Sequence, residues 1–194
     1  MDKSKNNNEE LYNPSFGERG YIQVYTGNGK GKTTASLGLA MRALGRGWNV
    51  LIVLFAKGGD DYGELFSFRE LSPKLMKNLT IEQAGLNRIV YSSNLTDEDR
   101  REVQKGWKFV QEAAKSREYQ LIIMDEVNIA IDLGLIDLKE MKNFLQNKPH
   151  ELEIVLTGRR AHPEIIKIAH LVSEIHPVKH YWDLGVTARK GIEF

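Results

Sequence analysis

Apolar residues along this chain come in two rhythms. Unbroken runs occur at Val50-Leu51-Ile52-Val53-Leu54-Phe55, within Asn49 to Phe55, and at Leu121-Ile122-Ile123-Met124, within Gln120 to Asp125. Such runs predict strands of a parallel sheet covered on both faces. Tyr21 to Tyr25 is β-branched and aromatic, and Leu152 to Thr157 reads as another strand; Thr80 to Gln83 and Leu171 to Ile175 are shorter candidates. Between the strands the spacing lengthens to three and four. Leu37, Ala40, Met41 and Leu44 predict a helix that Gly45 and Gly47 stop. Residues 65–71 predict a short helix. Thr96, with Asp99 three residues on, caps a long helix whose inner stripe is Val103, Trp107, Val110 and Ala114, so Trp107 is a core residue. Asp137 and Glu140 open a helix with Met141, Phe144 and Leu145 facing inward. Pro163 suits the first position of another, with Ile165, Ile166 and Ile168 as its apolar residues. Strands alternating with helices place the chain in the α/β class, with a mostly parallel sheet and ligands at the carboxyl ends of its strands.

Composition narrows the picture. The 194 residues suffice for one domain, expected at 19–194, behind a loose tail at 1–18 that opens with the polar, Asn-rich stretch Met1 to Glu10. That stretch lacks the apolar core of a signal peptide, and no run is long enough to span a membrane. A net charge of +1 gives no electrostatic case for nucleic acid or an anionic membrane. The absence of cysteine excludes disulfides and thiolate metal sites, and a cytoplasmic location fits.

The chemistry concentrates at Thr26-Gly27-Asn28-Gly29-Lys30-Gly31-Lys32-Thr33-Thr34. Its glycines let consecutive N–H groups turn toward an anion, Lys32 reaches distal phosphates, and the Thr33 hydroxyl suits a magnesium ion. Thr26 stands where the strict Walker A pattern has its first glycine. A strand before the loop and a helix after it supply the context that the motif requires, and the helix N-terminus adds positive potential. The plainer alternative is a glycine-rich turn. Asp125 and Glu126 end an apolar strand, as the acids that complete a magnesium site do, and either can be the nearer ligand. Thr157-Gly158-Arg159-Arg160 ends the next strand; Arg159 either pairs with a phosphate or is solvated, and Arg160 reads as a surface residue. His176 and His180 have the spacing of a metal pair, but Pro177 argues against a helix between them. Asn147-Lys148-Pro149-His150 lacks the aspartate of a guanine-reading motif.

These stretches, taken with Phe55-Ala56-Lys57-Gly58, Met124-Asp125-Glu126, His162, Pro177-Val178-Lys179-His180, Asp183, Gly185 and the closing Lys190-Gly191-Ile192-Glu193-Phe194, resemble the phosphate-loop ATP:corrinoid adenosyltransferases. The likeness runs from about residue 20 to the C-terminus, and that family's loop also lacks the first glycine. It implies a phosphate-loop NTPase-like three-layer fold. It implies transfer of the 5′-deoxyadenosyl group of ATP to the cobalt(I) of a reduced corrinoid, with release of triphosphate, in adenosylcobalamin synthesis or salvage. The loop, residues 27–34, and Arg159 would hold ATP in a reversed sense, with Lys32 the catalytic residue. Thr33, Asp125 and Glu126 would hold magnesium, with manganese as an alternative. Partners implied are ATP, a corrinoid, a second copy of the chain and a flavoprotein as one source of electrons. One departure stands out: where the family carries Gly-Phe-x-Trp, this chain has Gly85-Leu86-Asn87-Arg88, with Leu86 or Tyr91 the available substitutes. An ATPase, a small-molecule kinase and a non-catalytic nucleotide or corrinoid binder are the competing readings.

Overall fold

The computed structural model describes residues 19–59, 61–88 and 90–194. The tail expected at 1–18 lies outside the described residues. Six strands form one sheet in the order β3-β2-β4-β5-β1-β6: β1 (Ile22–Thr26), β2 (Val50–Phe55), β3 (Leu79–Ala84), β4 (Leu121–Asp125), β5 (Glu153–Thr157) and β6 (Leu171–Glu174). Every neighbouring pair is parallel. The helices are α1 (Lys32–Gly45), α2 (Gly63–Arg69), α3 (Pro73–Met76), α4 (Asp97–Ser116), α5 (Val127–Asp132), α6 (Leu138–Gln146) and α7 (Pro163–Ile168), followed by a 3₁₀ turn at Tyr181–Leu184.

The unbroken apolar runs are explained by two cores. Side chains alternate across a strand. In β2, Val50, Ile52 and Leu54 join Ala40, Ala43 and Leu44 of α1 and Leu65 and Phe68 of α2 on one face. Leu51, Val53 and Phe55 point the other way, among Val103, Trp107 and Val110 of α4, Met141 and Leu145 of α6, and Ile165 of α7. Burying each large side chain in these layers contributes roughly 1.5–3 kcal/mol. The edge strands differ: all four residues of β6 are exposed, and most of β3 is half-buried.

Local signals placed most helix ends. The Thr96 hydroxyl accepts from the Asp99 N–H, and the Asp99 carboxylate accepts from the Thr96 N–H at 2.8 Å, which closes the expected capping box. The Asp137 carboxylate accepts from the N–H groups of Lys139 and Glu140 at 2.8 and 3.0 Å. Past Gly45 the chain turns at Gly47, with φ of 78°. The structure corrects other details. Met41 and Ile166, among the apolar residues that mark their helices, are 41% and 38% exposed; α1 buries Ala40, Ala43 and Leu44 instead, and α7 buries Ile165. The short helix expected at 65–71 runs from Gly63 to Arg69. Helices α3 and α5 were not anticipated; at four and six residues they are too short for a periodic signal.

Candidate functional site

The sheet order puts the carboxyl ends of β1, β4 and β5 side by side, with β2 next to β4. Register pairs Tyr25 with Thr157 and Leu54 with Asp125, so the segments leaving these strands meet at one edge. The phosphate loop starts there. Thr26, in the place of the missing glycine, is buried and has a job: its hydroxyl accepts from the Ala161 N–H at 3.2 Å, tying the loop to the segment after β5. Its carbonyl accepts from the Ile175 N–H at 2.9 Å, and Ile175 returns a carbonyl to the Gly29 N–H at 2.7 Å. Gly27 and Gly31 have φ of 91° and 119°, a region that disfavours side chains.

The Lys32 ammonium is folded into the loop, donating to the carbonyls of Gly27 and Gly29 at 2.8 and 2.7 Å. Burial lowers its pKa, only partly opposed by Glu126 and Asp125. Asn28, Lys30 and Thr34 are exposed along the rim of the loop, and Thr33 is half-buried.

Below the loop sits a polar cluster centred on Asp125, which is wholly buried. Its Oδ1 accepts from the Thr157 hydroxyl at 2.6 Å, and its Oδ2 accepts from the Thr33 hydroxyl at 3.3 Å and the Lys57 ammonium at 2.6 Å. Thr157 also accepts from the Glu126 N–H at 3.0 Å. Glu126 takes a left-handed backbone, φ 57°, which turns the chain from β4 into α5. Burial, then the charge of Asp125, raise the Glu126 carboxyl above its ordinary range; Lys57, Lys32 and Arg159 pull the other way. For Lys57, burial is outweighed by Asp125 and Glu126, and its pKa rises, so it stays charged.

A divalent cation fits this donor set. Thr33 and Asp125 present a hydroxyl and a carboxylate oxygen 3.3 Å apart, and a cationic group, the Lys57 ammonium, already lies against the carboxylate. Hard oxygen donors of this kind suit magnesium, which keeps waters and phosphate oxygens as its other ligands. Among the described residues no group of three or more His, Asp or Glu side chains forms a metal cage by itself. Asp125 is the acid joined to Thr33.

The remaining candidates separate clearly. Arg159 is exposed at the same edge, where its charge bears on both Lys32 and Glu126. Arg160 turns away to Asp132 at 3.0 Å. His162 caps α7, its Nδ1 accepting from the Glu164 N–H at 3.2 Å. His176 stands by Glu174 at 3.4 Å, while His180 Nδ1 accepts from the Trp182 N–H at 3.1 Å. Lys148 is structural, donating to the carbonyls of Gly20, Pro149 and Leu152 at 2.8, 3.2 and 2.6 Å. In the divergent stretch Arg88 pairs with Asp99, half-buried Leu86 precedes it, and Tyr91 is 59% exposed. Two residues of the site escaped the sequence reading as individuals, Lys57 and Thr157. Both stood in quoted motifs, and both follow or end strands that lead to this edge.

Comparison with known proteins finds relatives over most of the chain. A family model described as ATP:corrinoid adenosyltransferase BtuR/CobO/CobP matches residues 18–194. The chain is 34% identical over 183 residues to a corrinoid adenosyltransferase of Escherichia coli, covering 91% of this chain and 87% of that one. It is 35% identical over 180 residues to an uncharacterised protein of Nostoc, covering 89% of this chain but spanning only 48% of that longer one. Among solved structures, a KaiC-like protein of Pyrococcus horikoshii aligns with a TM-score of 0.54 at 16% identity, over 81% of this chain and 73% of the other, a likeness of fold alone.

Proposed function

The chain belongs to the ATP:corrinoid adenosyltransferase family, BtuR/CobO/CobP, and on that footing we propose how its site serves ATP-dependent adenosylation of a corrinoid. The reaction is a displacement at carbon. The electron pair of cobalt(I) in the corrinoid substrate attacks the 5′ carbon of ATP. The bond from that carbon to oxygen breaks, triphosphate leaves with the bonding pair, and cobalt is formally oxidised to cobalt(III). The nucleophile is the substrate's own metal, so the protein's work is to hold the two substrates in line and stabilise the leaving polyanion.

The observation that carries this reading is the meeting of Thr33 and Asp125 at 3.3 Å beneath a loop whose Gly27 and Gly29 carbonyls hold the Lys32 ammonium. In the proposed complex Lys32 leaves the Gly27 and Gly29 carbonyls for the triphosphate, and Arg159 adds a second cation from the end of β5. Thr33 and Asp125 would hold magnesium, with Glu126 behind them; bound there, the ion would neutralise charge on phosphate oxygens. The helix dipole of α1 reinforces the same field. Leu86 or Tyr91 is proposed to face the corrinoid in place of the missing aromatic pair. A second copy of the chain, a flavoprotein electron donor and a cytoplasmic setting belong to the same proposal. Among the described residues no helix is long and apolar enough to cross a membrane.

The test is product analysis. Protein, magnesium-ATP and a chemically reduced corrinoid should yield a light-sensitive cobalt–carbon product and intact triphosphate in equal amounts. Formation of ADP and phosphate without an alkylated corrinoid would sink the reading and favour an ATPase or kinase.

A further inference from the structure

The motif Phe55-Ala56-Lys57-Gly58 has no part in the displacement as described, yet the fold fixes it with some care. Ala56 takes a left-handed backbone, φ 51°, and its N–H donates to the Ala84 carbonyl at 3.0 Å. The turns after β2 and β3 then lie backbone against backbone. A Cβ on Gly85 would fall 2.5 Å from the Lys57 backbone nitrogen, and one on Gly58 would fall 2.4 Å from the Gly85 carbonyl oxygen. This contact sends the Lys57 side chain inward to Asp125 Oδ2 at 2.6 Å and to the Thr33 hydroxyl at 3.5 Å. The Tyr62 ring, 5.8 Å from the ammonium, flanks it. Those two oxygens are the ones assigned to the divalent cation. Asp125 has no exposure to water, so an anion there requires a cation close by.

We propose that Lys57 is an internal counter-ion that occupies the metal position of the nucleotide-free protein and yields it to a divalent cation only when triphosphate enters as well. The inference rests on the metal site of the preceding reading and adds a coupling to it. Two cations cannot share one buried carboxylate oxygen without strong repulsion. A displaced ammonium at this depth needs another anion, and the triphosphate is the one that arrives with the metal. Free metal brings Lys57 no anion beyond Glu126, which already bears on it, so it competes poorly. The consequence is ordered loading, with metal entering as its nucleotide complex and free metal excluded.

The experiment measures Mn²⁺ binding by electron paramagnetic resonance, with Mn²⁺ alone and with Mn²⁺ plus ATP, in the wild type and Lys57→Met, which keeps the stem and removes the charge. Lys57→Gln serves as a second variant, and circular dichroism checks that both fold. The expected result is that loss of the ammonium tightens binding of Mn²⁺ alone by about tenfold or more. Asp125→Asn added to either variant should abolish that gain. Equal or weaker binding of Mn²⁺ alone in both folded variants overturns the inference while leaving the metal site standing. Failure of the wild type to bind Mn²⁺ even with ATP overturns the metal site itself, and the inference with it.

Discussion

Lys30, at the tip of the phosphate loop, pairs with Glu193 of the carboxyl-terminal segment at 3.1 Å. The same ammonium donates to the Ile192 carbonyl at 2.5 Å, and Lys190 reaches Asp61 at 3.0 Å. Glu193 also accepts from the Tyr181 hydroxyl and from the Arg189 N–H, the latter at 2.8 Å. Residues 181–194 thus form a strap between the loop and the segment after β2. Exposed ion pairs are individually weak, so the strap is expected to modulate nucleotide binding rather than create it. Glu193→Gln should raise the KM for ATP by about two- to fivefold, with kcat little changed, and speed proteolysis of the segment. Unchanged KM and unchanged proteolysis would show that the pair holds nothing in place.

The same carboxyl gives a pH prediction. Hydrogen bonds from Tyr181 first, then from Arg189 and Lys30, hold Glu193 down at about 2, against an ordinary 4.5. A depressed carboxyl contributes stability that is whole above the unfolded value and lost as pH falls through the folded one. Docking of the strap should therefore be constant near neutrality and fail between pH 4.5 and about 2. Fluorescence of Trp182, on the strap's own turn, should report that release in the wild type and lose the transition in Glu193→Gln.

Thr157 links the two acids. Its hydroxyl donates to Asp125 at 2.6 Å and accepts from the Glu126 N–H at 3.0 Å, with no exposure to water. Thr157→Val keeps the shape and strands both partners. The expected cost is about 1–3 kcal/mol in urea unfolding, together with weaker binding of metal-nucleotide as Asp125 loses its orientation. A variant as stable as the wild type would mean that water replaces the hydroxyl at no cost.

Much of this site could be read from the chain because its parts are local. The phosphate loop is contiguous, Asp125 ends an apolar strand, and the caps at Thr96 and Asp137 need only neighbouring residues. Lys57 was harder, because its role depends on backbone contact between the turns after β2 and β3, residues 56–58 against 84–87. No pattern in either turn announces the other. The exposure of β6 was equally hidden: Leu171 to Ile175 reads only as a short strand, and nothing in it tells that Leu171 and Val172 lie at the sheet edge, 44% and 41% exposed. Position in the sheet order, a property of the whole topology, decides that. Thr26 shows the reverse case. As a deviation from a pattern it looked like a defect, and its bond to Ala161 gives it a physical purpose.

Glycines of the loop should fail for different reasons. At Gly29 a Cβ would meet the Ile175 carbonyl oxygen and Cγ2 at 2.8 Å, a steric conflict that includes rigid backbone. At Gly31 nothing lies within 4 Å, but φ is 119°. Gly29→Ala should push the loop from Ile175, at a cost of about 1–3 kcal/mol, and weaken ATP binding sharply. Gly31→Ala should instead strain the backbone by about 1–2 kcal/mol without a clash. Hydrogen exchange separates them. The backbone amide of Gly29 donates to Ile175 at 2.7 Å in the wild type, and faster exchange at that position is expected only for the first variant. Equal exchange in both would refute the steric account.

Lys32 offers the sharpest test of the loop's task. Its ammonium bridges the Gly27 and Gly29 carbonyls and is 7% exposed, so it lies inside the cradle it serves. Substrate must therefore draw it out, exchanging two neutral acceptors for a polyanion, and the interaction strengthens further as charge grows on the departing triphosphate. Lys32→Ala should consequently lower kcat by about 10²–10³-fold, beyond any loss in ATP affinity. Its stability should fall by about 1–3 kcal/mol, since the change strands the carbonyl of buried Gly29. Lys32→Arg restores the charge, but a planar guanidinium does not fit between carbonyls that Lys32 holds at 2.8 and 2.7 Å, so it should remain impaired. Single-turnover formation of the alkylated corrinoid, measured at saturating ATP, isolates the chemical step. Retention of that rate in Lys32→Ala would remove the phosphate loop from the displacement and leave it only a binding role.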